Sequence, residues 1–328
     1  SRPVNLSGYQ VTAGVSIGIK LCEGADDTAD ALLRDSDTAM YHAKAAGRGK
    51  YVIFDNQMYE EAVDRLELET DLRRALYNWS FEQHYQPIVR LDDGQLVGFE
   101  ALARWNHPTR GSIGPHQFIT IAEETGLVLE LGRRLMEDAC RRLKLWQDMA
   151  PGLPALHISL NVSRLQLSAR GFVTELAGLL EDVGLDPRTL RLEITESAIL
   201  HDSSSIVPVL REIRELGVRL AMDDFGTGNS SLSSLHRFPI DLLKIDESFI
   251  YKMDGSRAHA AIVHAIVTLA QNMGMEVVAE GIETREHLAL LQALECTYAQ
   301  GYLFGRPQPA DAVDALLALP DRVMSLAS

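Results

Sequence analysis

Cysteine is scarce in this sequence of 328 residues: only Cys22, Cys140 and Cys296 occur, and no two of them have a Cys-x-x-Cys spacing. An odd number of widely separated cysteines argues against a disulfide framework and against a zinc site. We therefore expect a protein of a reducing compartment, the cytoplasm. A tether upstream of this sequence could still attach the full-length protein to a membrane.

Long apolar runs and a positive net charge are also missing. The longest apolar stretch, residues 258–269, is interrupted by His259 and His264, and it is shorter than the roughly 20 apolar residues of a membrane span. The net charge of −15 argues against binding of a nucleic-acid polymer, which needs clustered Lys and Arg. A small anionic ligand fits this charge only where a metal or a few basic residues supply local positive potential.

The pattern of apolar residues predicts two segments of unequal size. Residues 10–21 predict a strand, residues 27–46 a helix and residues 51–54 a second strand, a set too small to form a stable core alone. A helix with one apolar stripe follows. We predict a fragment over residues 1–55, a linker helix over 56–78 and a main domain over 79–328.

Eight apolar runs alternate with helical stretches in the main domain: residues 84–90, 96–105, 157–162, 190–195, 219–225, 242–246, 276–281 and 297–304. Such alternation is typical of an α/β barrel. The first two runs are joined by only five residues, too few for a parallel crossover. We predict a TIM-like (β/α)8 barrel with one antiparallel strand, with an open doubly wound sheet as the alternative.

A polar or charged residue stands near the end of almost every predicted strand: Glu100, Asn161, Glu193, Asp223, Asp224, Lys244, Asp246, Glu280 and Gln300. Any one of them alone is more often a solvated residue, a turn residue or a helix cap. Solvation does not, however, explain their recurrence inside apolar runs. In a barrel they would gather at the carboxyl-terminal rim, where catalytic groups lie.

Carboxylates that converge on one rim repel each other unless a cation lies among them. Oxygen ligands without Cys or His favour Mg²⁺ or Mn²⁺ over zinc. Asp223 and Asp224 are adjacent, so both can reach one site only where their strand ends. A shared Asp223 would let the site hold two ions about 3.5–4 Å apart, as in two-metal phosphodiester hydrolysis.

Eight short motifs occur in a fixed order between residues 66 and 319. They are Tyr85-Gln86-Pro87-Ile88, Glu100-Ala101-Leu102, Leu160-Asn161-Val162-Ser163, Glu193-Ile194-Thr195-Glu196, Asp223-Asp224-Phe225-Gly226-Thr227-Gly228, Leu243-Lys244-Ile245-Asp246, Ala279-Glu280-Gly281-Ile282-Glu283 and Gln300-Gly301-Tyr302. In this order they resemble the EAL-domain phosphodiesterases, which hydrolyse cyclic di-GMP to linear pGpG. The triplet Glu-Ala-Leu alone would carry little weight.

This resemblance implies metal and catalytic roles. One metal ion would be held by Glu100, Asn161, Glu193 and Asp223, and a second by Asp223, Asp224 and Glu280. Lys244 would position or polarise the attacking water, and Glu280 is the candidate general base. Glu100, Lys244 and Glu280 would thus be the catalytic residues.

The resemblance also implies substrate contacts and a partner. The planar fork of Arg104 suits a phosphate, although the residue could instead form a salt bridge at the rim. Leu102, Asp246 and Gln300, with Gln86, would line the nucleotide pocket. Glu196 would anchor the loop that begins at Phe225. Because the family commonly pairs near this loop, we also expect a homodimer.

The first 55 residues resemble the carboxyl-terminal part of a GGDEF, or diguanylate cyclase, domain. The matching segments are Val15-Ser16-Ile17-Gly18-Ile19, Asp37-Thr38-Ala39-Met40-Tyr41 and Ala43-Lys44-Ala45-Ala46-Gly47-Arg48-Gly49. The GGDEF signature itself is absent from the sequence, so we expect no synthesis of cyclic di-GMP.

Two further functions compete with an active hydrolase. A receptor that binds cyclic di-GMP without cleaving it should lack a metal ligand or Lys244, and this sequence lacks none of them. A regulatory module that works with a GGDEF partner would explain the partial fragment and the linker helix.

Overall fold

The computed structural model describes residues 4–6, 9–11, 14–22, 28–45, 47, 49–149, 156–201, 203–226, 232–253 and 255–318. It divides into two compact units, residues 1–74 and 75–328. The division falls inside one long helix, and each unit is described by itself.

The first unit begins with an antiparallel pair of strands, β1 (Val4–Leu6) and β2 (Tyr9–Val11). Next come β3 (Ile17–Ile19), helix α1 (Ala29–Ala45), β4 (Tyr51–Ile53) and helix α2 (Asn56–Asn78), with β3 and β4 parallel. Helix α1 packs so tightly on β3 that a Cβ on Gly18 would lie 1.9 Å from the backbone oxygen of Ser36.

The prediction of one strand over residues 10–21 is wrong. Strand β2 ends at Val11, residues 14–16 lie outside any strand, and β3 begins only at Ile17, where the three residues of β4 offer it a partner. Residues 12 and 13 of that predicted strand, and residues 27 and 46 of the predicted helix, lie outside the described residues.

The second unit is a barrel of strands. In chain order they are β5 (Phe81–Arg90), β6 (Leu96–His107), β7 (Gly111–Ile113), β8 (His157–Asn161), β9 (Leu190–Thr195), β10 (Arg219–Phe225), β11 (Leu242–Ile245), β12 (Glu276–Ala279), β13 (Tyr298–Gln300) and β14 (Gln308–Pro309).

Eight of these strands close the barrel, in the order β5, β13, β12, β11, β10, β9, β8, β6, with β6 paired back to β5. Strand β5 is antiparallel to both of its barrel neighbours, β6 and β13, while the other neighbouring pairs are parallel. The predicted TIM-like barrel with one antiparallel strand is therefore confirmed, and closure excludes the open sheet.

Helices surround the barrel. They are α3 (Pro115–Thr125), α4 (Val128–Met149), α5 (Arg164–Leu167), α6 (Phe172–Val183), α7 (Glu196–His201), α8 (Ser203–Glu215), α9 (Glu247–Tyr251), α10 (Arg257–Asn272), α11 (Arg285–Ala293) and α12 (Ala310–Leu317), with 3-10 turns at Pro187–Thr189 and Leu232–Arg237. Within the described ranges, no helix combines the length and the apolar character that crossing a membrane requires.

The main core lies between the outward face of the strands and the helices. Each barrel strand contributes a fully buried apolar residue to it: Val89, Phe99, Ile158, Leu192, Leu220, Leu243, Val277 and Ala299. Because side chains alternate along a strand, the residues between them face the barrel interior. The outward residues thus stabilise the fold while the inward ones are left for the site.

Five predicted strand ends differ from the observed ones: β8, β11 and β12 end one or two residues before the predicted residue, β6 ends two residues after it and β13 four before it. Strand β6 continues to His107: its pairing with β8 ends at Ala101, just after Glu100, and the residues beyond pair with β5 and β7. Strand β13 ends at Gln300 rather than Phe304, because Gly301 turns the chain against Ile282: the backbone N–H groups of Ile282 and Leu303 donate to Gln300 and Ile282.

Gly301→Ala should destabilise the barrel by about 1–3 kcal/mol, because a Cβ at Gly301 would lie 2.2 Å from the backbone N and O of Ile282 and the backbone would have to move. The measurement is urea unfolding. Gly178→Ala is the matched control: nothing lies within 4 Å of its Cβ position in α6, and Ala stabilises a helix interior by roughly 0.5–1 kcal/mol. Equal effects of the two changes would contradict this account.

Candidate active site

Four carboxylates surround the ammonium group of Lys244 at the carboxyl-terminal end of the barrel. Lys244 Nζ lies 2.5 Å from Glu193, 2.7 Å from Glu280, 3.2 Å from Asp223 and 3.6 Å from Glu100. The lysine is only 1% exposed. The structure thus brings together five residues that the sequence analysis selected from five different segments.

The charges in this cluster set its pKa values. Burial opposes the charged form of Lys244, but the attraction of Asp223, Glu100, Glu193 and Glu280 raises its pKa well above the ordinary value. Burial also raises the pKa of Glu193 well above normal, even though Lys244 pulls it down. Burial likewise raises the pKa of Glu280 to about 8, although Lys244 lowers it. One ammonium group therefore does not offset the four carboxylates.

Two amide side chains hold Glu100 in place, and a third amide is bonded to one of them. Asn161 donates to Glu100 Oε1 at 2.8 Å, and Gln300 donates to Glu100 Oε2 at 2.6 Å and to Gln86 Oε1 at 2.9 Å. Glu100, Gln86 and Gln300 are all buried. Buried hydrogen bonds of this kind fix a carboxylate in one orientation.

Asp224 adopts a left-handed backbone conformation with φ of 55°. The pairing of β10 with β11 shifts register at this point, between Met222 and Phe225. Asp224 lies beside the cluster but outside the group around Lys244, and burial together with the charges of Asp223 and Asp246 raises its pKa. The irregular end of β10 is what lets consecutive aspartates lie near one site.

Two further predicted residues bond to backbone at strand ends. Glu196 is buried and accepts the N–H of Gly226 through Oε2 at 2.9 Å, next to Phe225, where the predicted loop begins. Asp246 caps α9 by accepting the N–H of Ser248 at 3.1 Å. Residues 227–231 of the loop lie outside the described part of the chain.

A cavity of about 240 Å³ opens onto the cluster. Its walls include the predicted residues Gln86, Glu100, Leu102, Asp223, Lys244, Glu280 and Gln300. Asn161, Glu193, Asp224, Asp246 and Arg104 are not part of the wall. Arg104 is half-buried, burial lowers its pKa, and its Nη1 donates to the backbone oxygen of Ala103.

The sequence analysis missed four side chains in this cavity wall: Glu247, Tyr251, Glu283 and Tyr302. Tyr251 donates to Glu283 at 3.0 Å. Glu283 and Tyr302 belong to two of the eight motifs, and this position is the only feature of the sequence that could have indicated a role in the site. A larger cavity of about 580 Å³ lies between α4 and α6, outside the barrel and away from these groups.

The donor set suits a hard divalent cation. The groups are carboxylate and amide oxygens, the type that Mg²⁺ and Mn²⁺ prefer, and the carboxylates outnumber the one buried ammonium group. In the described residues no group of three or more His, Cys, Asp or Glu side chains is already arranged around a metal position. The carboxylates converge on Lys244 Nζ instead.

The profile of one protein family covers most of this chain: the model of the EAL domain matches residues 69–307. The chain belongs to the EAL-domain family. The resemblance inferred from the sequence is confirmed for this domain, while the GGDEF fragment stays a prediction.

Related EAL proteins have names that report cyclic di-GMP chemistry. MucR of Pseudomonas aeruginosa, a bifunctional diguanylate cyclase/cyclic di-GMP phosphodiesterase, is 41% identical over 318 residues, which are 97% of this chain and 46% of MucR. The cyclic di-GMP phosphodiesterase PdeR of Escherichia coli K12 is 37% identical over 314 residues, 95% of this chain and 47% of PdeR. The chain thus spans less than half the length of these relatives.

Solved EAL structures share the fold. The PaMucR phosphodiesterase in complex with c-di-GMP superposes with a TM-score of 0.71 at 41% identity, over 75% of this chain and 99% of that one. The EAL enzyme Bd1971 with cAMP and cyclic di-GMP bound gives a TM-score of 0.75 at 32% identity, over 89% and 77% of the two chains.

Lys244→Met should lower the free energy of unfolding of the metal-free protein by about 3–5 kcal/mol, because it leaves buried carboxylates without their cation. Added Mg²⁺ or Mn²⁺ should restore part of the loss. Urea unfolding in chelator and in divalent salt measures both effects, and Lys252→Met, at an exposed position, is the control. A Lys244 variant as stable as the parent in chelator would refute this role.

The metal-free protein should lose stability as the pH rises from about 5 to about 8. The pKa of Glu280 is about 8 in the folded state against an ordinary 4.5, so the folded state retains a proton that the unfolded state releases. Glu193 adds to the same trend. The free energy of unfolding should vary less with pH across this range in Glu280→Gln than in the parent. Exposed Glu286→Gln should show the same pH dependence as the parent. An unchanged slope in the Glu280 variant would count against the assignment.

Proposed function

We propose that this chain hydrolyses cyclic di-GMP to linear 5′-pGpG and requires Mg²⁺ or Mn²⁺, most simply as two ions. The observation that supports it best is the buried cluster of Glu100, Glu193, Asp223 and Glu280 around Lys244, open to a cavity in an EAL barrel. The names of the relatives MucR and PdeR, both phosphodiesterases, point the same way.

The proposed metal ligands are those that the resemblance implies: Glu100, Asn161, Glu193, Asp223, Asp224 and Glu280. Bound divalent ions would lower the pKa of the attacking water and offset the charge that develops on the phosphodiester. The position of Asp223 supports its shared role, since it contacts Lys244 at 3.2 Å and the N–H of Asp224 at 3.0 Å. Lys244 and Asp224, which both contact Asp223, can thus belong to one site.

The remaining residues of the site would bind the substrate, orient the attacking water and accept its proton. Lys244 stays protonated beside Glu280, so it can hold the water in place, and Glu280 would accept the proton in the deprotonated form that bound cations favour. Leu102, Gln86 and Gln300 line the cavity, which supports contacts with the nucleotide.

Arg104 is the proposed phosphate contact. Its one hydrogen bond within the described residues uses only Nη1, so its other donors are available to the substrate. Asp246, which caps α9, would line the nucleotide pocket, and Glu196 would anchor the start of the loop through Gly226.

The proposed domain organisation follows the sequence analysis. Residues 1–55 would be the end of a GGDEF domain without its signature, 56–78 a linker helix and 79–328 the EAL domain. Strands β3 and β4 are parallel and are connected by α1, which supports an α/β origin of the fragment. The match to the EAL model begins inside α2. A homodimer through residues 224–231 and a cytoplasmic location stay part of the proposal.

Purified chain incubated with cyclic di-GMP and Mg²⁺ or Mn²⁺ should release pGpG. Glu100→Gln keeps the shape of the side chain but removes a negatively charged ligand, and it should slow turnover by more than about 100-fold. Chromatography of the nucleotides measures product, and Glu181→Gln, on the exposed side of α6, should behave like the parent.

The same samples separate the hydrolase from a receptor. Calorimetric binding of cyclic di-GMP by the folded parent chain without any product over hours would favour the non-hydrolysing receptor. Turnover by Glu100→Gln at the parent rate would refute the assignment of Glu100 while leaving the activity intact.

A further inference from the structure

A second group of polar residues, of which Arg191 and His157 are buried and Arg219 and Glu276 are partly exposed, lies at the opposite end of the same barrel strands. Arg191 precedes Glu193 by two residues, Arg219 precedes Asp223 by four, and Glu276 precedes Glu280 by four. Even spacings place these pairs on one face of each strand, which is the inward face. His157 and Tyr298 hold equivalent positions before Asn161 and Gln300.

An apolar layer separates this second group from the candidate active site. Ala221, Leu242 and Val278 form a small cluster inside the barrel, with Tyr298 packed against it. On β10 and β12 the two groups are four residues, about 13 Å, apart. On β9 Arg191 precedes Glu193 by only two residues, but no salt bridge within the described residues joins Arg191 to a carboxylate around Lys244. The second group is a distinct polar region at the amino-terminal end of the barrel.

Arg191 is the exceptional member of this group. It is 4% exposed, and no atom of the described chain accepts a hydrogen bond from its Nε or Nη1. Its guanidinium carbon lies 5.0 Å from the ring centre of Tyr298, which offsets only part of the loss of hydration. Buried guanidinium donors without acceptors are unusual and indicate a bound partner.

His157 presents another donor in the same region. It is 6% exposed, and its Nε2 has no partner among the described residues. Its ring occupies space left by Gly98, where a Cβ would lie 2.6 Å from ring Cδ2. Burial and the charges of Arg191 and Arg219 lower the pKa of His157 well below normal, so the ring is neutral and can carry its proton on Nε2.

The charges here do not balance within the described chain. Glu276 is the one carboxylate of the described residues that faces both arginines: its Oε2 lies 2.7 Å from Arg219 Nη1 without the geometry of a hydrogen bond, its Oε1 accepts from Tyr298 at 3.3 Å, and its charge also attracts Arg191. Arg90, paired with β13 at Tyr298, has Asp92 and Asp93 as its own partners. One positive charge, that of Arg191, is left without a carboxylate in contact.

We propose that Arg191 and His157 hold a small inorganic anion, of the size of chloride, at the amino-terminal end of the barrel interior. Nε and Nη1 of Arg191 and Nε2 of His157 donate to it. The anion supplies the missing negative charge and the missing acceptors together. The burial of these donors excludes a phosphate ester or a nucleotide, and the site takes no part in hydrolysis.

Crystals of the whole chain grown in sodium bromide test this site directly. Data collected at the bromine absorption edge should show an anomalous peak in contact with Nε and Nη1 of Arg191. The peak should be absent in Arg191→Met and present in Arg211→Met, a change of an exposed arginine. A water at this position, no density, or a peak that persists in Arg191→Met would overturn the proposal.

A solution measurement covers the case in which Arg191→Met does not crystallise. The melting temperature of the parent should be higher, by at least about 2 °C, in sodium chloride than in sodium gluconate of equal ionic strength. Arg211→Met should keep this difference and Arg191→Met should lose it. The same difference in all three proteins would show a general salt effect and overturn the proposal, and if Arg191→Met does not fold, the bromide peak in the parent decides alone.

Discussion

The contact of Lys244 with four carboxylates is the interaction on which the rest of the site depends. Each carboxylate would be expensive to bury alone, and the lysine would be equally so. Together they form a cluster that is still negative, with raised pKa values at Glu193 and Glu280. Such a cluster persists only if the backbone around it cannot relax, and it attracts any further cation that fits.

The barrel supplies that rigidity through the alternation of its strands. Outward residues such as Phe99, Leu192 and Leu243 are fully buried against the helices, so the position of each strand is fixed by apolar packing. The inward residues then have little freedom, even on β12 and β13, which have only four and three residues. Stability and function are thus separated by the two faces of the same strands.

Much of this architecture could be predicted from the sequence because it depends on local patterns. Alternating apolar runs predict the strands, and the short connection between β5 and β6 predicts the reversed one. What could not be predicted depends on neighbours distant in sequence: the central position of Lys244, the left-handed Asp224, and the turn at Gly301 against Ile282. The role of each residue as metal ligand or substrate contact stays a prediction.

The polar group at the amino-terminal ends of the strands could not be predicted from the sequence either. His157, Arg219 and Glu276 each open a strand, and in the sequence such residues indicate only where an apolar run begins. The closed barrel turns these boundaries into neighbours, in the way it gathers the carboxylates at the other end. On β10, β11 and β12 the inward residues Ala221, Leu242 and Val278 form an apolar layer between the two polar ends. Within the described residues Arg191 forms no salt bridge with the carboxylates around Lys244, so a group that balances its charge has to lie at its own end of the barrel.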